Sequence, residues 1–177
     1  QFQVNVYADA VYDLVWRDFC DWYLECIKPT VADSPTQQRV LQSVLDAILR
    51  IMHPVCPFVT ETLWPHVQSN GAPGGTMLQL PPSELLATAQ WPISEAADDD
   101  IISAFERMQT LVNEVRRARA EQGLGPRDHI VLHAPSALSS FIEPVAAAIQ
   151  VLVGADSIDI GSEPPPGAWS VLFEGEE

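Results

Sequence analysis

The sequence predicts a mainly α fold: an antiparallel helical bundle over residues 1–125, followed by a small α+β (βαββ) unit over 126–177. Three observations lead there. Apolar residues recur at helical spacing through three long segments and one short one. Those segments are bounded by helix caps and prolines. Beyond Gly125 the pattern changes to short apolar runs separated by one helical stripe.

The first helix runs from Tyr7 through Val11, Leu14, Val15, Phe19, Trp22, Tyr23, Cys26 and Ile27. A second row, Trp16, Cys20, Leu24 and Ile27, widens that face and leaves Arg17, Asp18, Asp21, Glu25 and Lys28 for water. Such a helix needs cover from others, and Pro29 ends it. Ser34-Pro35-Thr36-Gln37 reads as an N-cap, a first-turn proline and a capping-box glutamine opening the second helix. Its expected inner stripe is Leu41, Val44, Leu45, Ile48 and Met52, opposite Arg39, Gln42, Ser43, Asp46 and Arg50. His53-Pro54 stops it, since a residue before proline avoids the α region.

Pro57 opens a short third helix through Phe58, Leu63 and Trp64, and the Gly/Pro-rich stretch 69–83 reads as a surface connection. Asp98, Asp99 and Asp100 favour the start of a long fourth helix with Ile101, Phe105, Met108, Val112 and Val115 inside, stopped by Gly123 and Gly125-Pro126. Residues 129–133, 157–160 and 169–173 are expected strands. Between them lies a helical stripe, Leu138, Ile142, Val145, Ile149 and Leu152, with Pro144 conflicting inside it.

Composition narrows the function classes. Hydrophobic residues make up 47% and charged residues 19%, inside the globular range. No apolar run approaches the roughly 18 residues that cross a bilayer, and no signal peptide opens the chain, so a soluble, cytoplasmic protein without a membrane partner is expected. Starting at Gln1 in a helical pattern, the chain reads as a piece of something larger. Three cysteines without framework spacing suit a reducing compartment.

The net charge of −15 disfavours nonspecific nucleic-acid binding, but four of nine basic residues, Arg116, Arg117, Arg119 and Arg127, fall within twelve positions. The plain reading is a solvated helix end that offsets the dipole, with Arg117 pairing Glu121 one turn on. The functional reading is contact with phosphates, the acidic body repelling RNA elsewhere.

Other chemistries find less support. Cys20 and Cys26 are six apart and face different ways around a helix, which suits packing better than a thiol enzyme. His53 and Cys56 could join them around zinc, yet no C-x-x-C or H-x-x-x-H spacing is present, and no metal is expected. Phosphate-loop, dinucleotide and nucleophile-elbow motifs are missing, so no catalytic residue is assigned.

Three blocks in order, "FCDWYLECIKP" (19–29), "LRIMHPVCPFVTETLW" (49–64) and "VRRARAEQGLGP" (115–126), with Trp91-Pro92 between the last two, resemble the anticodon-binding domain of the valyl-tRNA synthetase family. The first block favours the valine type over the isoleucyl- and leucyl-type relatives, which remain the alternative; a helical protein-interaction scaffold is the alternative from another class. The resemblance implies a class I anticodon-binding bundle, a tRNA(Val) anticodon stem-loop and the remaining synthetase domains as partners, and a monomer. Neither H-I-G-H nor K-M-S-K-S occurs, so the resemblance places ATP and adenylate chemistry in the parent enzyme, with no cofactor here. Candidate tRNA contacts are Arg116, Arg117 and Arg119, with Arg50 and His53 at the end of helix two.

Overall fold

The computed structural model describes residues 3–69, 77, 80–93, 96–125 and 127–174, and the chain divides into two compact units, 1–95 and 96–177. It is mainly helical with one small sheet. The division between the compact units falls before the long helix that starts at Asp99. Its physical reason is that this helix sends its hydrogen bonds into the strand-bearing unit, as shown below.

In the first unit, helix α1 (Val4–Tyr12) continues as a π-type stretch over Asp13–Leu24 and closes with an α turn, Glu25–Ile27. Val11, Phe19, Trp22 and Ile27 are buried, and Phe19 stacks on Tyr23 with ring centroids 5.8 Å apart. The Tyr7 hydroxyl donates to the Ile51 carbonyl, tying this segment to the end of the second helix, and burial pushes the Tyr7 phenol pKa up. One expectation fails: Trp16 is 54% exposed, and Leu14 is also exposed. The wider π turn changes which side chains share a face, so a stripe drawn at α spacing misplaces them.

Helix α2 (Pro35–Met52) starts as expected, with the Ser34 hydroxyl accepting from the Gln37 N–H at 3.3 Å. The capping-box return is not made; the Gln37 side chain accepts from Thr30 instead, at 2.8 Å. The buried face also differs from the apolar stripe. Ile48 and Leu49 are buried, but so are Ser43, Asp46 and Arg50, while Leu41, Val44, Leu45 and Met52 are half-buried. These polar groups go inside because each has partners. Ser43 accepts from the Met77 N–H at 2.7 Å and Asp46 accepts from Gln68 at 3.0 Å. A buried polar group with its hydrogen bonds made avoids the roughly 1–3 kcal/mol desolvation penalty of an unpaired one.

Helix α3 (Pro57–Ser69) buries Thr60 and Trp64, and a cluster of Leu49, Trp64 and Leu86 forms a core with Val67 and Ala89 against it. Phe58 and Leu63, on the same helix, are exposed. Most of the expected 69–83 connection lies outside the described residues.

In the second unit, Asp98 caps helix α4 (Asp99–Glu121), its carboxylate accepting from the Asp100 and Ile101 N–H groups at 3.1 and 3.2 Å. Met108, Leu111, Val112 and Val115 are buried, whereas Ile101 and Phe105 are exposed. Strands β1 (Ile130–Ala134) and β2 (Ala155–Ile160) pair in parallel, Leu132 opposite Ile158. The expected third strand at 169–173 does not form; Phe173 alone is a bridge residue.

Pro144 resolves its own conflict. It lies in a tight turn, Glu143–Val145, that separates the short helical piece Ser139–Ile142 from helix α5 (Ala146–Val153). Ser136–Val153 matches a membrane-crossing helix by length and composition only, and it is broken into four short pieces. Leu138, Ile142, Ile149, Leu152 and Val153 are buried within it, as in a core segment.

Candidate nucleic-acid interface

The candidate residues fall into two groups, one in each unit. In the first, Arg50 is only 5% exposed. Its Nε donates to Asp46 at 2.5 Å, its Nη1 donates to the Gln90 carbonyl at 2.6 Å, and its guanidinium lies 4.8 Å from the Trp64 ring centroid. His53 Nδ1 is 2.9 Å from the Thr60 hydroxyl, and Nε2 is 3.8 Å from Glu61.

These contacts belong to a clasp. Glu61 accepts from the Leu86 and Ala87 N–H groups at 2.9 and 3.1 Å, and Trp64 Nε1 donates to the Ser83 carbonyl at 3.0 Å. Arg50, Glu61 and Trp64 thus hold the segment 83–90 at three points. That segment lacks a regular ladder of its own, and the clasp satisfies backbone groups that would otherwise be lost to burial. The block "LRIMHPVCPFVTETLW" is therefore explained by architecture. Its Arg50 is spent inside the fold, and its His53 belongs to the same network.

The second group lies at the C-terminal end of α4. Arg119 is 8% exposed, and its guanidinium reaches four backbone carbonyls. Nη1 donates to Val153 and, at 3.3 Å, to Gly154; Nη2 donates to Gly125 at 2.8 Å and Asp128 at 2.7 Å. This one side chain joins the end of α4, the loop after it and the end of α5. Gly154 makes room for it: its φ is +66°, and a Cβ there would sit 2.7 Å from Arg119 Nη1. Arg116 is an exposed residue whose Nε donates to the Leu152 carbonyl at 3.0 Å.

Arg117 has the opposite character. Its side chain is 68% exposed, beside Glu114 at 2.5 Å and, as the sequence predicts, Glu121 at 3.9 Å. Exposed pairs of this kind contribute roughly 0–1 kcal/mol and exchange partners readily. Arg127 is also exposed, on the loop that Asp128 braces by accepting from the Gly125 N–H at 2.7 Å. It stands outside the five candidates, although its place just past the Gly125-Pro126 turn marks it as a loop-tip cation. Pro126 itself lies outside the described residues. Of the five candidates, the structure leaves Arg116 and Arg117 on the surface, and Arg127 joins them.

Cys20 and Cys26 are half-buried and Cys56 is exposed. Among the described residues no group of three or more His, Cys, Asp or Glu is placed to hold a metal.

Residues 1–134 match the family model for the anticodon-binding domain of tRNA ligase. The chain is 40% identical to the valine–tRNA ligase of Mycobacterium leprae over 126 residues, 70% of this chain and 13% of that protein. With the valine–tRNA ligase of Agrobacterium fabrum it shares 31% identity over 179 residues, 97% of the chain and 18% of that protein. With that of Rhodopirellula baltica it shares 28% over 171 residues, 92% of the chain and 16% of that protein. The chain thus spans less than a fifth of the length of these three relatives.

Proposed function

Because the chain belongs to the family of anticodon-binding domains of tRNA ligases, we propose that it binds the anticodon stem and loop of tRNA(Val) as part of a valine–tRNA ligase. The family match over residues 1–134 carries this reading, and the valine ligases among its relatives support the choice of tRNA. In this proposal ATP-dependent attachment of valine is the work of the rest of the ligase, which is cytoplasmic and acts as a monomer. This domain itself needs no cofactor.

The phosphate contacts are assigned to Arg116, Arg117 and Arg127. The exposed Arg117 guanidinium gives up its weak carboxylate partners for phosphate, and each phosphate contact releases counterions. Arg119 acts one step behind, as a positioning residue: it fixes the loop and the helix end from which the other three project. The acidic remainder of the chain discourages RNA from docking elsewhere.

The test is a salt titration of binding to a valine-type anticodon hairpin. Replacing Arg117 and Arg127 together by Ala is expected to weaken binding and to flatten the slope of log K against log salt by roughly 1.4–1.8, about 0.7–0.9 per phosphate contact. The melting temperature should stay where it was. A wild-type slope near zero, with no preference over a scrambled hairpin, would remove the RNA reading.

A scaffold role has one observation in its favour. Phe58 is 87% exposed beside exposed Val59 and Leu63 on α3, and no Lys or Arg occurs between Arg50 and Arg107. An apolar face without cations suits protein better than RNA. Capture of a protein partner by a chain that ignores the hairpin would favour that role.

A further inference from the structure

The inner side of α3 is taken up by the fold. Thr60 donates to the Cys56 carbonyl at 2.8 Å, Glu61 and Trp64 hold the 83–90 segment, and the Val67 carbonyl accepts from Gln42 at 3.1 Å. These residues recur at steps of one and three and share one side of the helix. Glu61, the one Asp, Glu, Lys or Arg between Pro57 and Ser69, is among them. The other side presents Phe58, Val59, Thr62 and Leu63, with Phe58 87% exposed. These four surround a hollow of about 280 Å³, the shape into which a side chain of a facing element packs. A helix side that stays in water carries polar or charged groups. Here the one hydroxyl, on Thr62, is turned back to the Phe58 carbonyl at 2.8 Å.

Charge and area separate the possible occupants of that face. RNA is held through cations, and the sequence has no Lys or Arg from Ile51 to Glu106. A second copy of the chain, or a separate protein, needs roughly 800 Å² on each partner for a stable complex, and three apolar side chains fall well short of that. A body joined to this domain by peptide bonds needs far less, because the tether supplies an effective concentration in the millimolar range. The chain spans less than a fifth of the length of its relatives. Under the ligase reading, the rest of the enzyme is such a tethered body.

We infer that the outer face of α3 is the seat of another domain of the same ligase polypeptide, which places an apolar side chain between Phe58, Val59, Thr62 and Leu63. The inference rests on the function proposed above and adds the surface by which this domain is held on the body of the enzyme. It also divides the block "LRIMHPVCPFVTETLW" between two tasks. Arg50, His53, Glu61 and Trp64 build the domain, and Phe58, Val59 and Leu63 attach it.

The test is alkylation by iodoacetamide at Thr62→Cys, compared between the 177-residue chain and the full-length ligase polypeptide. Thr62 is exposed within the face, and peptide mass spectrometry separates its label from those on Cys20, Cys26 and Cys56. The new thiol should react at an open-peptide rate in the 177-residue chain and at least about tenfold more slowly in the full-length ligase. Adding Phe58→Asp should restore the fast rate in the ligase without lowering the urea midpoint of the 177-residue chain. Equal rates in the two chains, shielding that survives Phe58→Asp, or a lowered midpoint would each overturn the inference. So would a rate in the 177-residue chain that falls as its concentration rises, which names a second copy, or in the presence of the anticodon hairpin, which names RNA. Failure of the proposed function reads out elsewhere, in the salt titration, which turns on Arg117 and Arg127 and not on this face.

Discussion

Replacing Arg119 probes the joint at which three segments of the second unit meet. Arg119→Ala removes a buried guanidinium that serves the carbonyls of Val153, Gly154, Gly125 and Asp128. A hydrogen bond from a charged donor is worth about 1.5–3 kcal/mol net, and bonds sharing one side chain do not add fully. Some of the orphaned carbonyls regain water. A loss of about 3–5 kcal/mol follows, a large share of a domain's stability. Gly154→Ala is destabilising through the same joint, for two reasons. The left-handed backbone costs an L-residue about 1–2 kcal/mol, and the new methyl displaces Arg119 from 2.7 Å away. The two causes separate in a double-mutant cycle. With Arg119 already Ala, the Gly154 substitution should cost only the backbone component, and the coupling should be about 1–2 kcal/mol. Urea unfolding followed through the amide signals of α4 and α5 reads all four corners. An Arg119→Ala loss below about 1 kcal/mol, with the Gly154→Ala cost equal in both backgrounds, would refute the assignment of Arg119 as the joint.

Two further outcomes follow from the first helix and the C-terminal latch. Trp22→Ala should cost about 3–5 kcal/mol in urea unfolding because Trp22 is buried, whereas Trp16→Ala should stay within about 0.5 kcal/mol because Trp16 is exposed; equal losses would contradict the exposure of Trp16. Hydrogen bonding to Arg107 holds the Glu174 carboxyl pKa below the ordinary glutamate range, and Arg107 is raised in turn. A lowered carboxylate pKa means the latch is fully present above the unfolded-state pKa and is lost as pH falls through the folded one. Carboxyl carbon shifts should show Glu174 titrating lower in the wild type than in Arg107→Gln, and unchanged titration would dismiss the latch.

Much of this was legible in the chain itself. Ser34-Pro35 and the Asp98 cap announce α2 and α4 because a cap is a contact between residues two or three apart. The turn after α4 is equally local, as is the stop at Gly154, whose φ of +66° suits glycine. The family could be recognised from three blocks of side chains in order. The roles of the arginines were not legible. Arg50, Arg117 and Arg119 are alike as letters, yet Arg119 is buried on four carbonyls, Arg50 is buried on one carboxylate and one carbonyl, and Arg117 stands beside carboxylates in water.

The sequence by itself determined the caps that open α2 and α4, the glycine stops after α4 and α5, that the chain is mainly α, and to which family it belongs. Periodicity and capping act within one or two turns, and the family blocks carry their own order. Tertiary structure alone decided that Ser43, Asp46 and Arg50 go inside. Their partners Met77, Gln68 and Gln90 lie 34, 22 and 40 residues away, and no local pattern encodes those meetings. It likewise decided that α4 belongs with the strands, because Arg119 bonds carbonyls 34 and 35 residues on. Burial of a polar side chain is favourable only once a distant group completes its hydrogen bonds, and that condition exists only in the folded chain.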